Sequence, residues 1–76
     1  MELRHIRYFK AVAEEKNFTR AAEKLAIAQP PLSRQIQDLE AELGTSLFVR
    51  TPHKVTLTEE GELFLQYATQ ILDLVN

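Results

Sequence analysis

Polar side chains that form hydrogen bonds readily surround a pair of prolines near the middle of the chain. They are Gln29, Ser33, Arg34 and Gln37, and the prolines are Pro30 and Pro31. An arginine can donate two parallel hydrogen bonds to guanine, and glutamine and serine side chains can bind base edges or phosphates. These residue types therefore suggest a surface that recognises duplex DNA.

Each of these residues also has a simpler interpretation. Arg34 could pair with Asp38 one helical turn further on, and Ser33 could be an ordinary exposed polar residue. Pro30 and Pro31 could touch a thymine methyl group, but they also suit the start of a helix, where the N–H that proline lacks would have no partner. The sequence leaves these alternatives open.

A second polar group joins two β-prone runs, residues 46–50 and 54–57. It consists of Arg50, Thr51, Pro52, His53 and Lys54. The pattern predicts a two-stranded hairpin with its turn at residues 51–53. A narrow minor groove attracts arginine, so Arg50 is a candidate for DNA contact, and a salt bridge to a nearby acid is its alternative.

A third candidate lies at the start of a short helix predicted over residues 20–25. Thr19 suits the N-cap position, where its hydroxyl would bind a free backbone N–H. Free N–H groups at a helix start also suit a phosphate, and Arg20 adds positive charge there. We therefore expect Thr19 and Arg20 to contact the DNA backbone. We expect the same of Gln37, which lies on the predicted third helix.

The sequence contains no pattern typical of an enzyme or a metal site. It has no cysteine, and its two histidines, His5 and His53, lack obvious ligand partners. Glu59, Glu60 and Glu62 resemble a carboxylate cluster, but acids are expected in the first turn of a helix because of its dipole. We expect no enzymatic activity, no metal and no cofactor.

The charge of the chain is acidic overall but unevenly distributed. The 76 residues have a net charge of -2. Residues 1–34 carry seven Lys or Arg and four acids, whereas residues 35–76 carry two Lys or Arg and seven acids. One face can therefore be basic enough to neutralise phosphates. No apolar run is long enough to cross a bilayer, so we expect no membrane association. The absence of cysteine suits a reducing compartment, so we expect a location in the cytoplasm.

Apolar spacing predicts the helices that would position these residues. The first helix has a core side made of Leu3, Ile6, Phe9, Val12 and Ala13. Ile27 is expected to be buried in the turn before the third helix. The third helix is predicted over residues 30–43, and its core side consists of Leu32, Ile36, Leu39 and Leu43. Gly44 is expected to end it in a left-handed conformation.

The outer half of the third helix and the last helix carry further predictions. Asp38, Glu40 and Glu42 would repel phosphate and should point away from the duplex. Thr58 suits the N-cap of a last helix that begins at Glu59 and runs to about residue 75. That helix has more apolar surface than one core face requires, so we expect a dimer interface on it. The predicted interface consists of Phe64, Leu65, Ala68, Ile71, Leu72 and Val75.

The predicted order is helix, short helix, tight turn, helix, hairpin and long helix. A short helix and a second helix joined by such a turn form a helix-turn-helix, whose second helix enters the major groove. The predicted fold class is all-α with a small β-hairpin, a winged helix-turn-helix over residues 1–57. Residues 58–76 are predicted to form a linker and dimerisation helix.

Several motifs, which together cover nearly the whole chain, occur in the same order and at the same spacing as in one protein family. The sequence reads AAEKL at 21–25, AQPPLSRQI at 28–36, LEAELG at 39–44, LFVR at 47–50 and LTEEG at 57–61. Together they resemble the amino-terminal domain of LysR-type transcriptional regulators. MELRHIRYF at 1–9 and QPP at 29–31 look most like members that control the breakdown of aromatic compounds.

The resemblance implies a dimeric bacterial regulator whose last helices pair antiparallel. A small-molecule effector would bind a carboxy-terminal sensing domain that this chain lacks. The base-contacting region of the family corresponds to Gln29, Pro30, Pro31, Ser33 and Arg34. Its wing, which reaches an adjacent minor groove, corresponds to Arg50, Thr51, Pro52, His53 and Lys54. A symmetric dimer would bind a pseudo-palindromic promoter site in double-stranded DNA.

A module that binds another protein is the alternative to DNA recognition. In that case the last helix would dock a partner and the basic residues would only be solvated. This alternative accounts for the apolar helix but not for the predicted turn and wing. The two hypotheses differ in the effect of salt, because phosphate contacts make affinity fall steeply as salt rises.

Overall fold

Four helices and one two-stranded hairpin make up the computed structural model, which describes residues 1–75. The elements are α1 (Leu3–Glu15), α2 (Phe18–Leu25), α3 (Gln29–Leu43), β1 (Phe48–Thr51), β2 (Lys54–Leu57) and α4 (Glu59–Val75). This order confirms the predicted fold class of a winged helix-turn-helix. Asn76, at which the predicted linker helix ends, lies outside the described residues.

The turn between α1 and α2 corrects the predicted cap of the second helix. Lys16 ends α1 in a left-handed conformation, with φ of 53°. The side-chain oxygen of Asn17 then accepts a hydrogen bond from the Arg20 backbone N–H at 2.8 Å. Asn17 is therefore the N-cap, and the prediction that Thr19 caps the helix is wrong. Asparagine is as good a cap as threonine, so α2 begins two residues earlier than predicted.

The turn between α2 and α3 brings the two helices into a tight pair. Ala26 adopts a left-handed conformation with φ of 59°, and the Ile27 N–H donates to the Ala22 carbonyl at 3.0 Å. Pro30 lies in the first turn of α3, as predicted, because its missing N–H needs no partner there. Gly44 ends α3 with φ of 73°, which confirms its predicted role.

The core lies where α1, α2 and α3 meet the base of the hairpin and α4. Its largest fully buried side chains are Phe9, Val12, Leu32, Ile36, Leu39 and Leu47. Three predicted core residues differ from expectation. Leu3 and Leu43 are exposed, at 38% and 36%, and Ile27 is only half-buried. Leu3 is the first residue of α1 and Leu43 is the last residue of α3, so each lies at a helix end, where neighbouring elements cover the core side less.

The hairpin is antiparallel, and its register pairs Phe48 with Leu57 and Thr51 with Lys54. Thr58 attaches it to α4. The Thr58 hydroxyl donates to the Ser46 carbonyl at 2.7 Å and accepts from the Gly61 N–H at 2.9 Å. Thr58 is thus the predicted N-cap of α4, and it also fixes the chain that enters β1.

Candidate DNA interface

The start of α3 presents the polar group that the sequence singled out. Pro30, Pro31 and Arg34 are exposed, whereas Gln29 and Ser33 are half-buried. The Gln29 amide donates a hydrogen bond to the Ser33 hydroxyl at 2.6 Å. This bond leaves the hydroxyl hydrogen of Ser33 free to be donated to a ligand. Gln29 and Ser33 therefore form a coupled pair on the outer side of the helix.

The side chain of Arg34 forms no salt bridge with any residue that the structure describes. The alternative to DNA contact that the sequence offered for Arg34 was a salt bridge to Asp38. However, no carboxylate of residues 1–75 lies within 4.0 Å of the Arg34 guanidinium. Gln37, one turn beyond Ser33, is exposed as well. Because no salt bridge within residues 1–75 uses the Arg34 guanidinium, its N–H groups can be donated to an external acceptor.

The hairpin carries a second arginine whose side chain is held in place. The Cζ atom of Arg50 lies 4.0 Å from the centroid of the Phe18 ring. The predicted alternative for Arg50, a salt bridge, is not formed with any acid in the part of the chain described. Thr51 donates through its hydroxyl to the Lys54 carbonyl at 3.2 Å and so closes the turn at Pro52 and His53.

A cleft separates the start of α2 from the hairpin, and it collects many of the predicted contact residues. It is lined by Lys16, Asn17, Phe18, Thr19, Gln29 and residues 50–55. No acidic residue lines it, although the chain as a whole is acidic. Arg20, Arg34, Ser33, Gln37 and both prolines of α3 lie outside this lining.

Five basic side chains near these elements form no salt bridge within residues 1–75. They are Lys16, Arg20, Arg34, Arg50 and Lys54. By contrast, Lys10 pairs with Glu14, and Lys24 pairs with both Glu14 and Glu15. Within residues 1–75, Glu14 and Glu15 thus pair with lysines outside the candidate interface, and none of the five basic side chains beside it forms a salt bridge.

Four residues that line the cleft are not among the contact residues predicted from the sequence. They are Lys16, Asn17, Phe18 and Val55. No sequence signal indicates the position of Lys16, because residues other than glycine rarely adopt the left-handed conformation that Lys16 has here. No signal in the sequence connects Phe18 with Arg50, which lies thirty-two positions later.

Glu40 has a structural role that the sequence did not indicate. Its carboxylate accepts hydrogen bonds from the backbone N–H groups of Leu47, at 2.7 Å, and Phe48, at 3.3 Å. Glu40 is half-buried, whereas Asp38 and Glu42 are exposed. Glu40 therefore connects α3 to the beginning of β1, and its expected orientation away from the duplex stays a prediction.

The predicted dimer residues on α4 divide into two groups. Ala68 and Leu72 are buried in the domain core, and Phe64 and Leu65 are half-buried against it. Phe64 packs edge-on to Phe9, with ring centroids 4.9 Å apart. Ile71 and Val75 are exposed, and so are three apolar residues that the prediction did not include in the interface. These are Leu63, Tyr67 and Leu74.

Two further features concern membrane spans and metal sites among residues 1–75. Within residues 1–75 no helix is both long and apolar enough to cross a membrane. The same residues hold no group of three or more His, Cys, Asp or Glu side chains placed to bind a metal ion. Neither His5 nor His53 therefore belongs to such a group in the described part of the chain.

Named bacterial regulators are similar to the whole chain. The regulator BenM of Acinetobacter baylyi is 60% identical over 76 residues, which is 100% of this chain and 25% of BenM. The operon activator HcaR of Escherichia coli is 62% identical over 73 residues, covering 96% of this chain and 25% of HcaR. The chain thus spans about a quarter of the length of these relatives, which are named as transcription regulators and not as enzymes.

Solved structures have the same fold. The BenM DBD–catB site 1 DNA complex matches with a TM-score of 0.96 and 61% identity, covering 99% of this chain and 83% of that chain. The CbnR DBD–DNA complex matches with a TM-score of 0.96 and 47% identity, covering 99% and 86%. The family described as bacterial regulatory helix-turn-helix protein, lysR family, matches residues 3–62. The chain belongs to this lysR family.

Proposed function

We propose that this domain binds double-stranded DNA with sequence specificity, as the DNA-reading part of a bacterial transcription regulator. The observation that carries the proposal is the set of five basic side chains near the polar start of α3 and the hairpin that form no salt bridge within residues 1–75. Neutralising phosphates is the main source of affinity for duplex DNA. The two similar structures that contain DNA support the same assignment.

We assign base reading in the major groove to the start of α3. The residues are Gln29, Pro30, Pro31, Ser33 and Arg34. Arg34 has no acidic partner among residues 1–75 and can bind guanine through two N–H groups. Ser33, fixed by Gln29, can donate its hydroxyl hydrogen to a base or phosphate. The exposed prolines can contact a thymine methyl while they shape the helix start.

We assign contacts with the DNA backbone and the minor groove to residues in and around the cleft. The residues are Thr19, Arg20, Gln37, Arg50, Thr51, Pro52, His53 and Lys54. All of them are exposed. Thr19 is released from the capping role by Asn17, so its hydroxyl is available to a phosphate. The hairpin is the wing of the motif in this proposal, with Arg50 directed to the minor groove.

Dimerisation through α4 is the second part of the proposal. Leu63, Tyr67, Ile71 and Leu74 follow one another at spacings of three or four residues and leave a continuous apolar side exposed. Leu74 is 85% exposed and Val75 is 51% exposed. An apolar helix side of this kind is typical of a protein interface. We therefore divide the chain into a DNA-binding domain, residues 1–57, and a linker and dimerisation helix, residues 58–76.

For the intact regulator we propose three further properties. A small-molecule effector would bind outside this domain, in a carboxy-terminal domain. We place the regulator in the subgroup of regulators that control the breakdown of aromatic compounds, because residues 1–9 and 29–31 resemble those of that subgroup. Access to promoter DNA would place the protein in the cytoplasm.

Selection of binding sites from a random pool of duplexes, followed by a salt titration, tests the proposal. We expect the selected sites to be pseudo-palindromic, and the logarithm of affinity to fall linearly with the logarithm of salt concentration. Absent binding, or affinity that does not change with salt, would favour the alternative of a protein-interaction module. If footprinting of a selected site showed protection of a single asymmetric half-site, that result would contradict the symmetric dimer.

A further inference from the structure

Arg50 is held by an aromatic stack that leads into the core. Its Cζ atom lies 4.0 Å from the centroid of the Phe18 ring. Phe18 is only 8% exposed and packs edge-on to Phe48, with centroids 5.9 Å apart and ring planes at 70°. Phe48 in turn packs against Phe9, with centroids 5.3 Å apart. The ring beneath the guanidinium therefore cannot move without disturbing buried side chains.

The stack restrains the arginine without occupying its donors. A cation above an aromatic ring is attracted to the electron-rich face, and an arginine can stack there while its N–H groups point outward in the guanidinium plane. Arg50 itself is exposed and lines the cleft beside the hairpin. No acid of the described residues competes for it through a salt bridge.

Restraint before binding affects affinity because ordering a long side chain has an entropic cost. Arginine is among the residues that lose most rotamer freedom when they are fixed. If the ring already fixes the guanidinium, part of this loss occurs during folding and not during DNA binding. Phe18 would then increase affinity without touching DNA.

We propose that Phe18 is a positioning residue for DNA binding, which holds the Arg50 guanidinium at the edge of the cleft so that its N–H groups meet the duplex. This inference rests on the proposed function, because it assumes that Arg50 contacts DNA. It adds a role for a side chain on α2, an element that is distant from the wing in the sequence. Phe18, the first residue of α2, thereby determines the position of a contact made by the hairpin.

A double-mutant cycle on the full chain tests the proposal. The variants are Phe18→Leu, Phe18→Tyr, Arg50→Ala and the double variant Phe18→Leu with Arg50→Ala. We expect Phe18→Leu to weaken binding to the selected duplex by about two- to fivefold, the range of an exposed cation–π contact. Phe18→Tyr keeps the aromatic face and should restore affinity. Phe18→Leu should have no further effect once Arg50 is alanine.

Proton NMR of the free chain gives an independent readout. Protons of the Arg50 side chain that lie over the ring should resonate upfield, and this shift should disappear in Phe18→Leu but persist in Phe18→Tyr. Circular dichroism of each variant shows whether it is folded. Phe18→Met replaces Phe18→Leu where the latter does not fold.

Three results would overturn the inference. One is the absence of upfield Arg50 resonances in the unchanged chain. Another is an equal loss of affinity from Phe18→Leu with and without Arg50, which would mean that Phe18 acts only through folding. The third is unchanged affinity in Phe18→Leu. Failure of the proposed function is distinguishable, because the unchanged chain would then bind no duplex, and the inference would fall with it.

Discussion

The backbone of Gly61 in α4 lies directly against the backbone carbonyl of Leu47. A β-carbon added to Gly61 would overlap the Leu47 oxygen, and it would also approach the Leu57 side chain to 3.0 Å. The same carbonyl accepts the Thr58 N–H at 3.0 Å. Because Leu47 immediately precedes β1, this close approach determines how near α4 lies to the base of the hairpin.

We expect Gly61→Ala to destabilise the domain by about 1–3 kcal/mol, because the new methyl group must displace backbone and not a flexible side chain. Urea unfolding measures the change. Gln66→Ala, at an exposed position of the same helix, is the matched control and should leave the free energy of unfolding within about 0.5 kcal/mol. Equal stability of Gly61→Ala and Gln66→Ala would show that the contact has no energetic importance.

The Glu40 carboxylate leads to a second prediction about the hairpin. Glu40→Ala leaves the backbone N–H groups of Leu47 and Phe48 without their acceptor, so we expect a loss of about 1–3 kcal/mol. Glu40→Gln retains an acceptor oxygen and should lose less. Thermal unfolding compares the two variants.

Asp38→Ala is the control for Glu40, because it removes an exposed carboxylate from the same helix. It should change stability by less than about 0.5 kcal/mol. If Asp38→Ala and Glu40→Ala had the same effect, loss of negative charge would explain the result better than loss of the two hydrogen bonds.

Much of the fold could be predicted because local sequence signals agree with the tertiary packing. The period of Leu32, Ile36 and Leu39 predicts the buried side of α3, and all three are fully buried. Gly44 and Thr58 end and begin helices as their chemistry suggests. The cap of α2 was misplaced because Asn17 and Thr19 are both good caps, and only the tertiary path of the chain chooses between them.

The site was predictable only as a set of exposed polar side chains. Residue types indicate that Arg34 and Arg50 can bind DNA, but they do not indicate which acids lie nearby in space. The stacking of Arg50 on Phe18 and the bonds of Glu40 to the start of β1 join residues from different elements. Such contacts depend on tertiary structure and leave no periodic signal in one sequence.

Arg34 and Arg20 should affect DNA binding in different ways. Arg34→Ala should weaken binding to the selected site by about 1–3 kcal/mol and weaken binding to random DNA less, because a base contact carries specificity. Arg20→Ala should weaken both alike and reduce the slope of the salt dependence by about one, because a phosphate contact does not depend on sequence. Fluorescence anisotropy with both duplexes at several salt concentrations measures these effects.

Arg7→Ala is a suitable control for the arginine pair. Arg7 is exposed and, within residues 1–75, has no salt bridge, but it lies outside the proposed contact set. Its removal should leave the ratio of specific to random affinity unchanged. Equal losses on both duplexes from Arg34→Ala would remove Arg34 from the base-reading residues.

The exposed side of α4 gives the last prediction, which concerns association between two copies of the chain. Ile71→Glu places a charge on the exposed apolar side and should raise the dimer dissociation constant by about tenfold or more, because an unpaired charge would be buried in the interface. Sedimentation equilibrium measures the constant. Gln70→Glu, an exposed neighbour, adds the same charge to the same helix and should leave association nearly unchanged.

Leu72→Glu distinguishes the two sides of α4. Leu72 is only 5% exposed and belongs to the core of the domain, so a charge there should unfold the monomer, whereas Ile71→Glu should leave it folded. Circular dichroism beside sedimentation separates the two effects. If Ile71→Glu sedimented like the unchanged chain, the dimer would have to use a different surface. If Leu72→Glu dissociated the dimer and the monomer stayed folded, the interface would instead include the side of α4 that packs on the core.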